Sequence, residues 1–203
     1  IVDRYFFALK SFGVINDGKG LDYFINEKII NNPEITGLVH TKYVAVVLGG
    51  SYFTKQIPIE KLTEICEKIP TKIILLGSKN ETEIGNLLVS NFKNVVNLCG
   101  KLSFNESAFV VKEAHWVITS DTGLMHVAAA YNKKIISIWG NTIPEFGMSP
   151  YLPNNENIIL QVNNLNCRPC SKLGYKKCPK KHFNCMQKIN LSELDKVNWL
   201  NPQ

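Results

Sequence analysis

The chain has 203 residues, of which 45% are hydrophobic and 20% are charged, and this composition excludes an intrinsically disordered protein. No apolar run approaches the roughly 18 residues that a membrane-spanning helix needs. The net charge of +6 is concentrated in residues 167–188, which hold seven Lys or Arg and no Asp or Glu, so removing these seven charges leaves −1.

The first 40 residues have the pattern of two helical pieces joined by the turn-rich stretch "GVINDGKG". The start, "IVDRYFFALKSFG", lacks a methionine and a signal-peptide layout, and it has the pattern of an amphipathic helix entered partway. We therefore expect the chain to be part of a longer protein. Residues 1–40 are interpreted as an interdomain helical or linker segment that follows an N-terminal domain.

From residue 43 onward, short apolar runs alternate with helical patterns. The pattern predicts strands over residues 43–48, 72–77, 94–100, 115–120, 134–140 and 156–162. It predicts helices over residues 57–69, 81–92 and 103–114, and a further helix after residue 121. Ser103 with Glu106 three residues later has the pattern of a capping box.

Strands that are apolar throughout are buried on both faces, and helical crossovers between them imply parallel pairing. The sequence therefore predicts an α/β fold, a Rossmann-like doubly wound parallel sheet, over residues 41–165. Residues 166–203 are predicted to form a Cys-rich basic segment that ends in a helix over residues 189–201.

Ligands of such sheets bind at the carboxyl ends of the strands, where this chain has "GGSYFTK", "GSKNE", "GKLS", "SDTG" and "GNTIPEFG". In "SDTG" a helix begins, and the free N–H groups around Thr122 and Gly123 are suited to a diphosphate. Either Ser120 or Asp121 is a candidate N-cap, Asp121 is also a candidate partner for a sugar hydroxyl, and His126 lies within reach of a phosphate. The alternative is that Asp121 is only a cap and His126 a core histidine.

Lys55 follows the first strand, where its ammonium would reach a phosphate, although a surface lysine has the same pattern. The sequence has no Gly-Lys-Ser/Thr and no GxGxxG after any strand, which argues against a P-loop NTPase and a nicotinamide-dependent dehydrogenase.

Six cysteines are present, and Cys66 and Cys99 lie singly in apolar contexts that predict buried, inert thiols. The other four have the spacing C-x2-C-x7-C-x6-C, with His182 between them. This spacing leaves open a structural zinc site, reduced thiols or disulfides. The four candidate metal ligands are Cys167, Cys170, Cys178 and Cys185.

The stretch "SDTGLMHVAAAYNKKIISIWGNTIPEFGMSPY" resembles the signature of glycosyltransferase family 9, the ADP-heptose:lipopolysaccharide heptosyltransferases and their relatives. "VVLGGSYFTKQIP", "IILLGSKNE" and "VVNLCGKLSFNESAFVVKEAHWVITSD" match the family in the same order, over about residues 40–190. One departure is Lys133-Lys134, where many members have Lys-Pro. The resemblance implies one half of a GT-B enzyme, the half that binds the nucleotide-sugar donor.

Carried onto this chain, the resemblance implies three groups of site residues. Ser51, Thr54 and Lys55 would contact the donor diphosphate. The diphosphate and sugar would be bound by Asp121, Thr122, Gly123 and His126, and the nucleoside pocket would be lined by Gly77, Ser78 and Leu102.

The resemblance also implies a metal-independent, inverting transfer of a sugar. The expected donor is ADP-heptose, the transferred sugar is heptose, and the acceptor is a lipopolysaccharide-type glycan. Lys55 and His126 would stabilise the leaving group. The resemblance further implies that the catalytic carboxylate base lies in the amino-terminal domain. Neither Asp3 nor Asp17 matches the motif that carries the base, and neither is nominated. We expect a cytoplasmic protein, with peripheral contact of its basic segment at the inner face of a bacterial inner membrane.

Two other functions stay open at this point. One is a non-catalytic nucleotide- or nucleic-acid-binding module with a zinc-stabilised basic tail. Against nucleic acid, residues 167–188 offer only Tyr175 and Phe183 as stacking aromatics. The other is a donor-binding domain that has lost its activity and acts as a scaffold.

Overall fold

The computed structural model describes residues 1–26, 32–38, 41–151 and 156–199. In these ranges six parallel strands form one sheet in the order β3-β2-β1-β4-β5-β6. The strands are β1 (Tyr43–Val47), β2 (Lys72–Leu76), β3 (Val95–Asn97), β4 (Trp116–Ser120), β5 (Lys134–Trp139) and β6 (Ile158–Gln161). The predicted Rossmann-like α/β fold is confirmed.

The α-helices of the described ranges are α1 (Val2–Leu9), α2 (Pro33–Thr36), α3 (Ile59–Lys68), α4 (Thr82–Asn91), α5 (Phe104–Glu113), α6 (Gly123–Ala130) and α7 (Asn184–Gln187). The capping box predicted at α5 is formed: the Ser103 side chain accepts from Glu106 N, and the Glu106 carboxylate accepts from Ser103 N at 2.7 Å. None of the helices in these ranges has the length and apolar character needed to cross a membrane.

Two apolar layers cover the two faces of the sheet, as the continuous apolar strands predict. Along β1, Val44 and Val46 belong to one layer, while Tyr43, Ala45 and Val47 belong to the other. The first layer contains the inner faces of α3 and α4 together with side chains from residues 183–199, and the second contains α5 and α6. Because side chains of a strand alternate between faces, β1 to β5 contribute side chains to both layers, whereas the edge strand β6 contributes to the first layer.

The final helix predicted over residues 189–201 differs in the structure. Within the described ranges, this part of the chain forms a 3-10 helix at Ser192–Lys196, and residues 200 and 201 lie outside them. The Asn190 side chain accepts from Ser192 N at 2.9 Å, and Leu191 and Leu194 are buried in the core. Their spacing of three residues matches the 3-10 repeat, so this packing favours the tighter helix.

The strand order reverses between β1 and β4, because β2 and β3 lie on one side of this pair and β5 and β6 on the other. Turns from neighbouring strands diverge at such a switch point and leave a crevice beyond the carboxyl ends of the strands. The fold therefore places the turns after β1 and β4 at the centre of any ligand site.

Candidate functional site

A cavity of about 580 Å³ opens at the switch point. The turns after β1, β2, β3 and β4 and the start of α5 form its wall. Its volume lies in the range of small-molecule sites. Six of the predicted site residues line it: Ser51, Gly77, Ser78, Leu102, Thr122 and Gly123.

Lys55 and Asp121 form an ion pair beside the cavity. Lys55 Nζ lies 2.7 Å from Asp121 Oδ2, and the two side chains are only 11% and 6% exposed. The Thr142 hydroxyl donates to the same carboxylate oxygen at 3.2 Å. An ammonium has three N–H donors, so Lys55 retains donors for a ligand after binding Asp121. Its shielding from water strengthens the attraction to an anion.

His126 lies in the first half of α6, close to this ion pair. Burial lowers the pKa of His126 below its ordinary 6.5, the Asp121 carboxylate partly opposes that shift, and the Lys55 ammonium adds to it. The imidazole is therefore neutral at pH 7 and can donate one hydrogen bond without bringing a positive charge.

The N-cap of α6 is Thr122, and neither Ser120 nor Asp121 takes that role. The Thr122 side chain accepts from Met125 N at 3.4 Å. Asp121 is held by Lys55 and Thr142, while Ser120 Oγ is buried with no hydrogen-bond partner among the described residues.

The first turn of α6 leaves backbone donors unused beside the cavity. In the described ranges, the N–H groups of Gly123 and Leu124 have no acceptor, and both residues line the cavity. Such groups, at the positive end of a helix dipole, form an anion site.

Thr54 lies against the Cys-rich segment, which we define as residues 167–185. Thr54 is 1% exposed. Its hydroxyl accepts from Tyr175 N at 2.8 Å and donates to Tyr175 O at 3.2 Å. The Thr54 hydroxyl therefore donates one hydrogen bond and accepts another within the protein, both with the backbone of Tyr175.

Sequence reasoning did not nominate several residues of the cavity wall, among them Glu81, Phe53 and Phe104. Glu81 is buried, and its Oε2 accepts from both Ser78 N and Ser78 Oγ at 2.7 Å. The signal for Glu81 was present, because Ser78 and Glu81 have the S-x-x-E spacing of a capping box. Phe53 and Phe104 also line the cavity while their side chains remain largely exposed. Their contribution depends on the fold, and no local pattern indicates it.

The four clustered cysteines are free thiols, as are Cys66 and Cys99, which are buried as predicted. Within the cluster, Cys170 Sγ donates to Cys167 O at 2.7 Å, and Cys167 Sγ lies 3.8 Å from His182 Nε2. The described ranges contain no group of three or more His, Cys, Asp or Glu side chains placed to hold a metal.

A parallel sheet with a cavity at its switch point, and with a lysine beside a free helix N-terminus, is typical of α/β domains that bind nucleotide ligands. The comparison with protein families is more specific. The model of glycosyltransferase family 9 (heptosyltransferase) matches residues 3–182. The chain therefore belongs to this family, which confirms the resemblance found in the sequence.

Curated relatives cover only part of this chain. Lipooligosaccharide heptosyltransferase 2 of Campylobacter jejuni is 34% identical over 123 residues, which are 58% of this chain and 36% of that protein. The protein of the same name from Haemophilus influenzae is 32% identical over 104 residues, which are 49% of this chain and 30% of that protein. The chain thus spans about a third of the length of these relatives.

Solved structures share the fold. The family 9 glycosyltransferase of Veillonella parvula superimposes with a TM-score of 0.75 at 18% identity, covering 96% of this chain and 57% of that one. The E. coli heptosyltransferase WaaC with ADP superimposes with a TM-score of 0.54 at 26% identity, covering 67% of this chain and 43% of that one. The fold is that of the GT-B glycosyltransferases of family 9.

Proposed function

We propose that this chain is the donor-binding part of an inverting glycosyltransferase that transfers heptose from ADP-heptose to a lipopolysaccharide core or related envelope glycan. The observation that carries the proposal is the Lys55–Asp121 pair, placed beside the free N-terminus of α6 and the cavity at the switch point. The donor is supported by relatives named heptosyltransferase 2 and by a similar structure solved with ADP.

The donor diphosphate would lie across the start of α6. The N–H groups of Gly123 and Leu124 would donate to its oxygens, and Lys55 would add a positive charge. His126 would donate a hydrogen bond as a neutral imidazole. Together these groups offset the negative charge that develops on the departing nucleoside diphosphate, which is the main requirement of a glycosyl transfer without a catalytic metal.

The nucleoside would lie in the cavity between the turns after β2 and β3. Gly77, Ser78 and Leu102 form the wall there. The Glu81 carboxylate has acceptor capacity beyond its two bonds to Ser78, and it would accept hydrogen bonds from ribose hydroxyls. Phe104 offers an apolar ring for the base.

The catalytic base and the acceptor site are assigned to the rest of the protein, because the relatives are about three times as long as the part that matches. No carboxylate of this chain is nominated as the base. The seven basic residues of 167–188 would face the phosphorylated acceptor or the membrane that carries it. The protein would then act in the cytoplasm, at the inner face of the inner membrane.

A structural zinc at Cys167, Cys170, Cys178 and Cys185 stays a prediction from their spacing. The proposed reaction uses no metal at these four thiols. Elemental analysis of the purified protein tests it: one equivalent of zinc would support the prediction, and a metal-free, folded protein would contradict it.

Calorimetric titration of the chain with ADP, UDP, GDP and ADP-heptose tests the proposed function. We expect ADP and ADP-heptose to bind, and Lys55→Ala or Asp121→Ala to abolish binding. Lys196→Ala, which breaks an exposed ion pair with Glu193, is the control and should bind as the unaltered chain does. Equal binding of ADP by all variants would refute the assignment of Lys55 and Asp121 to the donor site. Salt-dependent DNA or RNA binding without ADP binding would favour the nucleic-acid alternative. Sugar transfer by the full-length protein separates an enzyme from a scaffold.

A further inference from the structure

The Cys-rich segment holds three consecutive carbonyl groups at the end of β5. Arg168 Nε donates to Gly140 O at 2.6 Å, and Arg168 Nη2 donates to Thr142 O at 2.9 Å. Between them, Cys170 N donates to Asn141 O at 3.2 Å. The segment therefore fixes the path of residues 140–142.

Arg168 makes this contact as a rigid fork. Its guanidinium also donates to Gln161 Oε1 at 2.7 Å and to Val162 O at 3.2 Å. In the described ranges, none of its hydrogen-bond acceptors is a carboxylate. The planar guanidinium thus connects the turn after β5 with the end of β6 through neutral oxygens. A lysine would not reproduce this geometry.

The same segment holds the loop that carries Lys55. The Thr54 hydroxyl and the Thr54 N–H both bind the backbone of Tyr175. Next to it, Gly174 has φ +131°, and a Cβ on Gly174 would lie 2.7 Å from Tyr52 Cβ. Only glycine allows this backbone conformation and this close approach.

Both groups that bind the Asp121 carboxylate lie on loops that the Cys-rich segment holds. The loop after β1 carries Lys55, and residues 140–142 after β5 carry the Thr142 hydroxyl. We propose that Thr54 and Arg168 are positioning residues, through which the Cys-rich segment sets the geometry of Lys55, Thr142 and Asp121 at the diphosphate end of the donor site. This inference rests on the proposed function. It assigns no ligand contact to the two residues themselves.

At the nucleoside end of the cavity, Gly77, Ser78 and Leu102 belong to the turns after β2 and β3. In the described part of the chain, none of these three residues forms a hydrogen bond with the Cys-rich segment. Loss of the positioning contacts should therefore weaken recognition of the diphosphate and leave recognition of adenosine unchanged. A variant that only destabilises the fold would lower binding of both ligands in parallel. The ratio of ADP affinity to adenosine affinity distinguishes a loss of positioning from a general destabilisation of the fold.

The test measures this ratio by calorimetry for the full chain carrying Thr54→Val, Thr54→Ser or Arg168→Lys. Thr63→Val is the control, since the Thr63 hydroxyl donates to Ile59 O within α3. We expect Thr54→Val and Arg168→Lys to lower ADP affinity about tenfold or more with adenosine affinity unchanged, and Thr54→Ser and Thr63→Val to keep the original ratio.

An unchanged ratio in Thr54→Val and Arg168→Lys would overturn the positioning role, as would a parallel loss for both ligands. Failure of the proposed function is distinguishable, because the unaltered chain would then bind ADP no better than adenosine. If Arg168→Lys does not fold, the nearly isosteric Thr54→Val and its Thr54→Ser counterpart decide the question alone.

Discussion

Replacing Lys55 by methionine should destabilise the protein strongly, because it leaves the Asp121 carboxylate buried without its cation. At the observed 2.7 Å, two unit charges attract by about 6 kcal/mol at an effective dielectric constant of about 20. Part of this attraction offsets the desolvation of both groups, and the Thr142 hydroxyl still binds Asp121 in the variant. We therefore expect a loss of about 3 kcal/mol in the free energy of unfolding, at the lower end of values for broken buried pairs.

Urea unfolding monitored by circular dichroism measures this loss, and thermal unfolding should show a decrease in Tm of about 6–12 °C for a chain of this size. Lys196→Met is the matched control, because Lys196 and Glu193 have the same 2.7 Å separation but side chains that are 71% and 48% exposed. It should cost less than about 1 kcal/mol.

The double variant Lys55→Met with Asp121→Asn completes the cycle. Replacing both partners removes the unpaired charge, so its loss should be clearly smaller than the sum of the two single losses. Strictly additive losses, or a loss for Lys55→Met no larger than for Lys196→Met, would refute the view that this pair is a buried, coupled ion pair.

Three further predictions follow from other parts of the structure. Burial lowers the pKa of His126, so the neutral imidazole contributes to the free energy of unfolding above pH 6.5, its ordinary pKa. This contribution is lost as pH falls through the lowered pKa, and urea unfolding between pH 7.5 and 5 should show the loss. Gly85→Ala should lower the free energy of unfolding by about 1–3 kcal/mol, since a Cβ would lie 2.4 Å from Asn97 Oδ1 in a buried side chain. Cys66 and Cys99 should not react with a thiol reagent in the folded protein at pH 8, because burial raises the pKa of each to about 12.

Each of these predictions has its own control. His126→Asn should flatten the pH dependence, and an unchanged slope would mean that other groups cause it. Gly37→Ala should be nearly neutral, because among the described residues other than its chain neighbours no atom lies within 4 Å of its Cβ position. Equal losses at both glycines would contradict the steric argument. In urea, Cys66 and Cys99 should become reactive. If either thiol reacts in the folded protein as fast as the Cys167 thiol does, burial does not protect it.

The order of the six strands and of the helices between them, and the edge of the sheet that carries the candidate site, were determined by the sequence itself. Apolar runs of strand length, helices between them and the Ser103–Glu106 capping box are local patterns, and each predicted the element that the structure has. Because parallel strands end at one edge of a sheet, six predicted site residues also meet at one cavity.

Only the tertiary structure decided which partner each polar side chain takes. Asp121 follows β4 as a candidate N-cap would, yet it binds Lys55 and Thr142, and the cap passes to Thr122. The same holds for Arg168, whose acceptors lie on neighbouring strands and turns. Local patterns depend on neighbours along the chain, whereas a buried charge is paired with whichever partner the packed fold brings within hydrogen-bonding distance.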